Sequence, residues 1–455
     1  MCPRTTLPQD SNIIPTTISP PTRRKFLKSA GATGAGMMIL PSGLLSAAQS
    51  TTHKLNIAVI GVGGRGEANL NGVKSENIVA LSDVHAKTLA KAAERFPKAK
   101  TYTDWRKCLE QKDVDAVVCS TTDHTHALVN VWAMNRGMHV YCEKPLANSV
   151  HEARVVRETY LRNKGKLATQ MGTQIHASDN YRRVVELIRN GAIGTVERAD
   201  VWVGRPRKTE AYYPAVSPIP DHIAWDLWIG PSPFHDYNPG YLGNCLSWNH
   251  FWDFGTGQLG DMGSHLIDLP YWALNLRFPT SCEAQGKPRH PDSYPRQIKV
   301  TWEHPANDER PGVKVNWYDG GPTPDMPHKS INREAVAGIG ILFTGDKGWL
   351  LANYGFRLVF LRSDMTTYYA PTPEELIPPS LGHHQEWIHA CKTGAPTTCN
   401  FDYSGALIEH NLLGAVAFRT GEKLAWDAEN LQATNCPEAA QYVKKSYRDG
   451  WVLNG

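Results

Sequence analysis

The sequence lacks any continuous apolar run near the roughly 20 residues that a helix needs to span a membrane. It also lacks internal repeats, and no low-complexity tract follows the start of the chain. Its formal net charge of +4 is spread along the chain, with one basic cluster near the start. The sequence therefore does not indicate a membrane-spanning, repeat-array or nucleic-acid-binding protein, and we expect a soluble globular one.

Cysteine is sparse, with nine residues and no spacing typical of a zinc site. Cys119 and Cys142 lie in apolar runs that resemble buried strands. Cys391 and Cys399 are close enough in sequence to form a disulfide, a question that spacing leaves open. We expect no metal cofactor from this pattern.

The first fifty residues have the composition of a targeting segment. TRRKFLKSAGATGAGMMILPSGLLSAAQS begins with the pair Arg23 and Arg24, continues with a mildly apolar stretch and contains small residues at Ser46–Ala48 suited to cleavage. This segment, 1–50, resembles a twin-arginine export signal. The resemblance implies a periplasmic or otherwise exported protein, with the twin-arginine export machinery as a partner. The alternative is a basic amphipathic or disordered tail.

The chain of 455 residues, 41% of them hydrophobic, is long enough for two domains with separate cores. From 54 to 168, apolar runs alternate with segments whose apolar residues recur at helical spacing. This alternation predicts a parallel sheet with helices on both faces, which is a doubly wound Rossmann domain of the α/β class. The apolar runs are LNIAVIGV, NIVALSDV, DAVVCST, MHVYCEKP and GKLATQMG.

Residues 169–455 have the pattern of an α+β domain. NYRRVVELIRNG predicts a helix that ends at Gly191, and an aromatic, proline-rich stretch occupies 212–252. Later stretches predict strands of an open, mainly antiparallel sheet: QIKVTWEH, GVKVNWYD, GIGILFTGDKGWLLANYG and RLVFLRS. HHQEWIHACKTG and SGALIEHNLLGAVAFRTG predict late helices, each ended by a glycine.

IAVIGVGGRGEANL places Gly61, Gly63 and Gly66 in G-x-G-x-x-G spacing between a predicted strand and a predicted helix. Such glycines let the backbone approach a pyrophosphate, which the amides at the helix amino terminus then bind. The second strand ends at Asp83, where a carboxylate accepts hydrogen bonds from the adenosine ribose. Because Asp83 would repel a 2′-phosphate, NAD is favoured over NADP, and His85 nearby weakens that preference.

STTDHTHA follows a later strand and places Thr122, His124 and His126 where they can line the cofactor, since ligands of such sheets bind beyond the carboxyl ends of the strands. The alternative is that Thr122 or Asp123 caps the following helix. The two interpretations are compatible.

VYCEKPLA ends the next predicted strand with Glu143, Lys144 and Pro145. A lysine there points toward the same crevice as the nicotinamide, where a hydroxyl group that loses hydride needs a proton acceptor. The predicted cofactor-binding residues are Gly61, Gly63, Gly64, Arg65, Gly66, Asp83, Thr122, His126, Glu143 and Lys144.

GQLGDMGSHLIDLPYW places Asp261 and His265 four residues apart. Taken alone, this spacing fits a zinc site, an acid/base pair or the polar rim of a buried helix, and no third ligand at zinc spacing is adjacent. A single helix over 259–274 would place a polar side next to an apolar stripe. The polar side is Asp261, His265, Asp268 and Trp272, and the stripe is Met262, Leu266, Leu269 and Ala273.

The glycine turn, Asp83, EKP and GDMGSH occur in an order that resembles the glucose-fructose oxidoreductase, inositol dehydrogenase and rhizopine catabolism (Gfo/Idh/MocA) family, over about 54–430. The resemblance implies that Lys144 is catalytic and that Asp261 and His265 bind a sugar and relay a proton. MGTQIHAS differs from the family pattern, so the role of Gln174 stays open. A homo-oligomer is implied by the resemblance alone.

A carbohydrate substrate is implied in the same way, and aromatic residues crowd the stretch before GDMGSH. Indole faces pack well on the apolar faces of sugar rings, although most tryptophans of a globular protein serve its core. The predicted substrate-binding residues are Trp248, Trp252, His250 and Gln174. Further candidates for the cleft are Trp225, Trp228, Tyr237, Tyr241, His176, His383 and His384.

Together these features predict an exported NAD(P)-dependent oxidoreductase that acts on a hydroxyl of a sugar, polyol or glycoside. Free NAD is scarce outside the cytoplasm, so we expect the cofactor to stay bound and to be restored on the protein. A second sugar can restore it, or a transient oxidation can permit elimination of a glycosidic substituent, as in the NAD-dependent glycosidases of this family. The sequence also leaves open a non-catalytic sugar or cofactor-binding protein and a cytoplasmic dehydrogenase whose leader is misinterpreted.

Overall fold

The computed structural model describes residues 53–321, 323–327, 336–369 and 376–454, without the side chains of 364–369. The predicted twin-arginine segment, 1–50, lies outside the described residues. Among the helices that are described, none has the length and apolar composition needed to cross a membrane.

The first sheet has six strands in the order β3-β2-β1-β4-β5-β6, and all neighbouring strands are parallel. The strands are β1 (Asn56–Ile60), β2 (Asn77–Ser82), β3 (Lys100–Tyr102), β4 (Ala116–Cys119), β5 (His139–Cys142) and β6 (Thr169–Met171). The helices between them are α1 (Arg65–Val73), α2 (Ala86–Arg95), α3 (Trp105–Cys108), α4 (Asp123–Asn135) and α5 (Val150–Arg162).

The predicted doubly wound Rossmann sheet is confirmed, because all five apolar runs form its strands. The short strand β3 was not predicted, since two of its three residues are exposed and it has no apolar run. Strand β6 ends at Met171, so the sheet reaches slightly beyond the predicted boundary at 168. The boundary itself stays a prediction.

The second sheet has ten strands in the order β14-β13-β12-β11-β7-β10-β9-β8-β15-β16. The strands are β7 (Val196–Val203), β8 (Ser281–Lys287), β9 (Gln297–His304), β10 (Val313–Asp319), β11 (Ile339–Gly345), β12 (Gly348–Ala352), β13 (Arg357–Leu361), β14 (Asp364–Tyr369), β15 (Leu424–Asp427) and β16 (Gln432–Ala433). Strands β7 and β10 pair in parallel, and the other neighbours are antiparallel. The open, mainly antiparallel sheet is therefore confirmed.

The remaining helices are α6 (Asp179–Arg189), α7 (Trp225–Ile229), α8 (Cys245–Trp248), α9 (Gly257–Gly260), α10 (Gly263–Leu266), α11 (Asp268–Ala273), α12 (His383–Thr393), α13 (Phe401–Thr420) and α14 (Ala440–Val443). Both predicted late helices end at left-handed glycines, α12 at Gly394 and α13 at Gly421. Helix α13 packs against α5 and the second sheet, whereas α12 returns to pack against α1. Every described cysteine is a free thiol.

The prediction of one helix over 259–274 is wrong, because this stretch forms α9, α10 and α11. Asp261 leaves the helical conformation, with a ψ angle of −82°. Pro270 has no N–H group to donate to the carbonyl of Leu266, so a continuous helix loses that hydrogen bond. The breaks give the polar residues of this stretch separate orientations.

Candidate active site

A cavity of about 800 Å³ lies at the carboxyl ends of the parallel strands. Residues after β1, β2, β4 and β5 form one wall, and residues after β7 and around α8 to α10 form the other. This is the edge at which ligands of doubly wound sheets bind. The cavity therefore brings the glycine motif, the EKP motif and GDMGSH together.

The glycine turn after β1 holds its shape through close backbone contacts. A Cβ atom on Gly66 would lie 1.9 Å from the carbonyl oxygen of Gly61. A Cβ on Gly61, whose φ is +79°, would lie 2.5 Å from the carbonyl oxygen of Ser120. By contrast, a Cβ on Gly64 would meet no atom within 4 Å, so open space lies next to the start of α1. This bare backbone at a helix amino terminus fits a dinucleotide pyrophosphate.

Asp83 follows β2 and lines the same cavity. Its carboxylate accepts hydrogen bonds from the backbone N–H groups of Val62, at 2.9 Å, and His85, at 2.8 Å. Burial raises its pKa above the ordinary value. Each carboxylate oxygen keeps a free lone pair for a ribose hydroxyl, so the position fits the predicted ribose-binding role.

The residues after β4 divide into two groups. Thr122 lines the cavity and occupies the amino-terminal cap position of α4, but its side chain makes no capping hydrogen bond. The alternative that Thr122 caps the helix through its side chain is therefore wrong. His124 lies behind the wall, where its Nε2 atom is 3.0 Å from the carbonyl oxygen of Trp228 and its ring packs against Phe254. His124 is thus a core residue rather than a cofactor contact.

His126 lines the cavity but is held by the backbone on both sides. Its Nδ1 atom lies 2.6 Å from the carbonyl oxygen of Pro145, and its Nε2 atom lies 3.1 Å from that of Thr121. Two carbonyl acceptors favour an imidazolium, and although burial lowers its pKa, the neighbouring Cys119 and Asp123 raise it on balance. His126 therefore ties the turn after β4 to the turn that contains Lys144.

Lys144 and Asp261 form an ion pair across the cavity. The second carboxylate oxygen of Asp261 accepts a hydrogen bond from Arg207 at 2.7 Å. Burial opposes both charges, but the Asp261 carboxylate raises the pKa of Lys144. Lys144 and Arg207 in turn lower the pKa of Asp261. Lys144 and Asp261 are therefore both charged near neutral pH, so Lys144 is a cation rather than a proton acceptor.

His265 is a neutral imidazole in this cavity. The hydroxyl of Thr173 donates to the carbonyl oxygen of Ser264 at 2.9 Å, so its oxygen accepts from Nδ1–H of His265 at 3.0 Å. Burial, followed by the charge of Lys144, lowers the pKa of His265 to about 3. Nδ1 carries the hydrogen in this arrangement, which leaves the Nε2 lone pair of a cavity-lining imidazole free to accept a proton.

Glu143 and Arg65 also line the cavity and bind each other at 2.8 Å. Glu143 accepts a further hydrogen bond from Asn69 of α1 at 3.0 Å. The network fixes the EKP turn against the glycine turn. Gly66 is the one predicted cofactor residue in this turn that does not line the cavity, because it packs against Gly61.

Only some of the candidate tryptophans of the second domain line the cavity. Trp228 and Trp248 line the cavity, as does Gln174. Trp252 does not, because its ring packs near Tyr294 with a centroid distance of 5.7 Å and Arg419 lies 5.2 Å above it. The structure therefore does not support Trp252 as a substrate-binding residue.

His250 is also turned away from the cavity. It is buried, and its Nε2 atom lies 3.0 Å from Oε1 of Glu210. The remaining candidates for the cleft do not line the cavity either: Trp225, Tyr237, Tyr241, His176, His383 and His384. His383, for example, is 2.6 Å from the hydroxyl of Tyr141. Periodicity alone does not separate residues behind a cavity wall from those that line it.

Sequence reasoning missed Arg207, Thr173 and Asn249. Arg207 and Thr173 hold Asp261 and His265, and Asn249 lines the cavity while 1% exposed. None belongs to a spaced motif, and Arg207 lies in a loop far from Asp261 in sequence. The one signal in the sequence was that Asn249 directly follows the predicted Trp248.

Two groups of potential metal ligands lie within the described part of the chain. They are Cys119, His126 and Cys142, and His176, Asp268 and Cys399. In the first group both ring nitrogens of His126 already face carbonyl oxygens. In the second, His176 Nδ1 lies 2.9 Å from Asp268. The prediction of no metal stays a prediction.

Two family models match the chain in sequence. The model GFO_IDH_MocA, described as an oxidoreductase family with an NAD-binding Rossmann fold, matches residues 55–171. The model GFO_IDH_MocA_C2, the C-terminal alpha/beta domain of that family, matches residues 191–308. The prediction of an NAD-binding Rossmann domain is therefore confirmed.

Curated relatives match the chain over part of its length. An inositol 2-dehydrogenase of Salmonella paratyphi B is 31% identical over 145 residues, which are 31% of this chain and 43% of that protein. A glycosyl hydrolase family 109 protein of Shewanella baltica is 28% identical over 205 residues, which are 38% of this chain and 43% of that protein. The chain thus matches less than half the length of these relatives.

Solved structures share the fold over most of the chain. GenD2 from gentamicin A biosynthesis, in complex with NAD, has a TM-score of 0.56, 18% identity, and coverage of 85% of this chain and 100% of its own. Levoglucosan dehydrogenase, in complex with NADH and levoglucosan, has a TM-score of 0.56, 17% identity, and coverage of 82% and 99%. At these identities the likeness is one of fold.

Proposed function

The chain belongs to the Gfo/Idh/MocA oxidoreductase family, and we propose that it oxidises a hydroxyl group of a sugar, polyol or glycoside. The observation that supports this most directly is the charged Lys144 and Asp261 pair beside the neutral base His265. All three line the cavity that contains the glycine turn and Asp83. NAD bound there supplies the hydride acceptor.

Side chains of this protein accept the proton of the substrate hydroxyl and stabilise the charge that remains. The Nε2 atom of His265 accepts the proton of the substrate hydroxyl, since its Nδ1–H is held by Thr173. The ammonium group of Lys144 stabilises the developing alkoxide in a buried site where such an interaction is strong. Asp261, held by Arg207, keeps Lys144 charged and oriented. Trp228 and Trp248 offer apolar surfaces for the sugar ring.

We propose that the protein is exported and keeps its dinucleotide between turnovers. The pair Arg23 and Arg24 supports export, because twin-arginine systems carry proteins that have folded with their cofactors. Retention is expected because free NAD is scarce outside the cytoplasm. The cofactor is then restored by reducing a second carbohydrate.

The redox-neutral glycosidase is the second candidate. It is favoured by the likeness to the glycosyl hydrolase family 109 protein. In this cycle a transient oxidation acidifies a neighbouring C–H group, a glycosidic substituent leaves, and the oxidation is reversed. A non-catalytic sugar or cofactor-binding protein is disfavoured, because such a protein would have no need for a buried Lys144, Asp261 and His265 arrangement.

One experiment separates these functions. The protein is purified without added NAD, the absorbance of bound reduced nicotinamide is recorded, and monosaccharides, polyols and aryl glycosides are added in turn. Lasting reduction without release of an aryl group supports the oxidoreductase. Release of the aryl group without net redox change supports the glycosidase. Absence of bound dinucleotide, together with neither reduction nor release of an aryl group when NAD is added, contradicts both.

A further inference from the structure

Asp123 has a buried carboxyl group that faces the cavity without a partner. It is the first residue of the 13-residue helix α4, is 4% exposed and lines the cavity. Across the described part of the chain, no side chain or backbone group donates a hydrogen bond to it. A buried carboxyl group without a partner is costly, so a group that enters the cavity is expected to supply one.

Charged groups from four elements face Asp123 at longer range. They are His126 on its own helix, Lys144 after β5, Asp261 after α9, and Lys445 near the carboxyl terminus. None of them forms an ion pair with Asp123 in the described structure. Burial raises the pKa of Asp123 to about 7. The carboxyl group therefore stands at the catalytic end of the cavity, with both protonation states accessible near neutral pH.

We propose that Asp123 is a substrate-binding residue whose carboxyl group hydrogen-bonds a second hydroxyl of the carbohydrate, next to the one that His265 deprotonates. This inference rests on the proposed function. A carbohydrate hydroxyl is both donor and acceptor, so it pairs with a carboxylate and with a carboxylic acid. The nicotinamide ribose offers the same diol chemistry, and the test must separate the two sources.

The carbohydrate, rather than the nicotinamide ribose, is favoured as the hydrogen-bond partner of Asp123 for a geometric reason. Two of the four charged groups around Asp123 belong to the second domain, namely Asp261 and Lys445, so Asp123 lies where the two walls meet. The dinucleotide already has its own carboxylate at Asp83, at the end of β2. A substrate diol that lies between Lys144 and Trp248 has the carboxyl group of Asp123 as its hydrogen-bond partner, since that group has no other partner.

The test measures binding rather than turnover. The protein purified with its dinucleotide is titrated by calorimetry with glucose, myo-inositol and a series of deoxyglucoses, as wild type, Asp123→Leu and Asp123→Asn. Asp113→Asn, an exposed acid on a loop, is the matched control. We expect Asp123→Leu to weaken binding of the best sugar by at least about tenfold, with a smaller loss in Asp123→Asn. One deoxy sugar should bind wild type and Asp123→Leu alike.

Dinucleotide content, read from absorbance, and thermal melting are measured on every variant. Equal sugar affinity in wild type, Asp123→Leu and Asp123→Asn overturns the proposal. So does a loss of dinucleotide with normal sugar affinity, since the carboxyl group would then serve the cofactor. If Asp123→Leu fails to fold, Asp123→Asn and the deoxy series decide. If wild type binds none of the monosaccharides, polyols and aryl glycosides named above, the proposed function fails and this inference fails with it.

Discussion

Arg207 and Asp261 form an ion pair of 2.7 Å, in which Arg207 binds the carboxylate oxygen that Lys144 does not. The same Nη2 atom of Arg207 also donates to Gln258 at 3.1 Å, so both bonds hold one end of its guanidinium. The Asp261 carboxylate thus lies between two cations, Lys144 after β5 and Arg207 after β7. The negative charge of Asp261 raises the pKa of Lys144, so the lysine stays protonated.

Replacing Arg207 by Met should lower kcat by about 10- to 100-fold, because Asp261 would lose one of its two charge-assisted hydrogen bonds. Arg207 acts through Asp261 and is a positioning residue. Its loss raises the pKa of Asp261, so activity that needs the carboxylate would decline at a higher pH on the acid side. The measurement is kcat against pH, with Arg207→Lys as partial rescue and Arg205→Met as control. If the acid limb of the kcat profile lies at the same pH in wild type and in Arg207→Met, Arg207 is not a positioning residue for Asp261.

His265 should stay neutral throughout the physiological range, since burial and Lys144 lower its pKa to about 3. Nitrogen chemical shifts of histidine-labelled protein are the measurement, with His265→Asn used to assign the signal. We expect the Nδ1–H form at pH 5, where an ordinary histidine is mostly charged. A titration of this signal near pH 6.5 would rule out the proposed proton acceptor.

Asp83→Ser should relax the preference for NAD over NADP. A carboxylate beside a 2′-phosphate costs several kcal/mol, so wild type is expected to bind NADP about 100-fold more weakly than NAD. The variant should narrow that ratio by at least about tenfold. Affinities are measured by fluorescence titration of protein stripped of dinucleotide, with Asp113→Ser as control. An unchanged ratio would remove Asp83 from cofactor discrimination.

Gly66→Ala should lower the free energy of unfolding by more than about 3 kcal/mol, because the added Cβ would lie 1.9 Å from the carbonyl oxygen of Gly61. Gly355→Ala is the control, since its Cβ would meet nothing within 4 Å, and we expect a change within about 0.5 kcal/mol. Urea denaturation measures both. Similar stabilities for the two variants would show that the glycine turn adapts.

The proposed export is tested in the leader. Arg23→Lys and Arg24→Lys together should leave the protein in the cytoplasm, because the twin-arginine machinery reads the pair. Fractionation of expressing bacteria measures its location, and Arg4→Lys is the matched control. An unchanged location in the double variant would support a cytoplasmic dehydrogenase with a misinterpreted leader.

Local patterns of the sequence were enough to predict the kind of both sheets, although not every strand in them. The alternation of apolar runs with helical segments predicted β1, β2, β4, β5 and β6, because strands covered on both faces are rich in apolar residues. The G-x-G-x-x-G spacing placed the turn before α1, since the glycines are required by backbone contacts that the motif itself specifies. The motifs around Lys144 and GDMGSH identified the elements whose ends meet at the cavity.

Only the tertiary structure decided which side chains reach the cavity and in what charge state. Trp248 lines it and Trp252 does not, although they lie four residues apart in the same aromatic stretch. Lys144 is a cation and His265 a neutral base because Asp261 and burial shift their pKa values in opposite directions. Such shifts depend on distances between groups that are remote in sequence. A sequence determines which residues are present, whereas folding determines what each one faces.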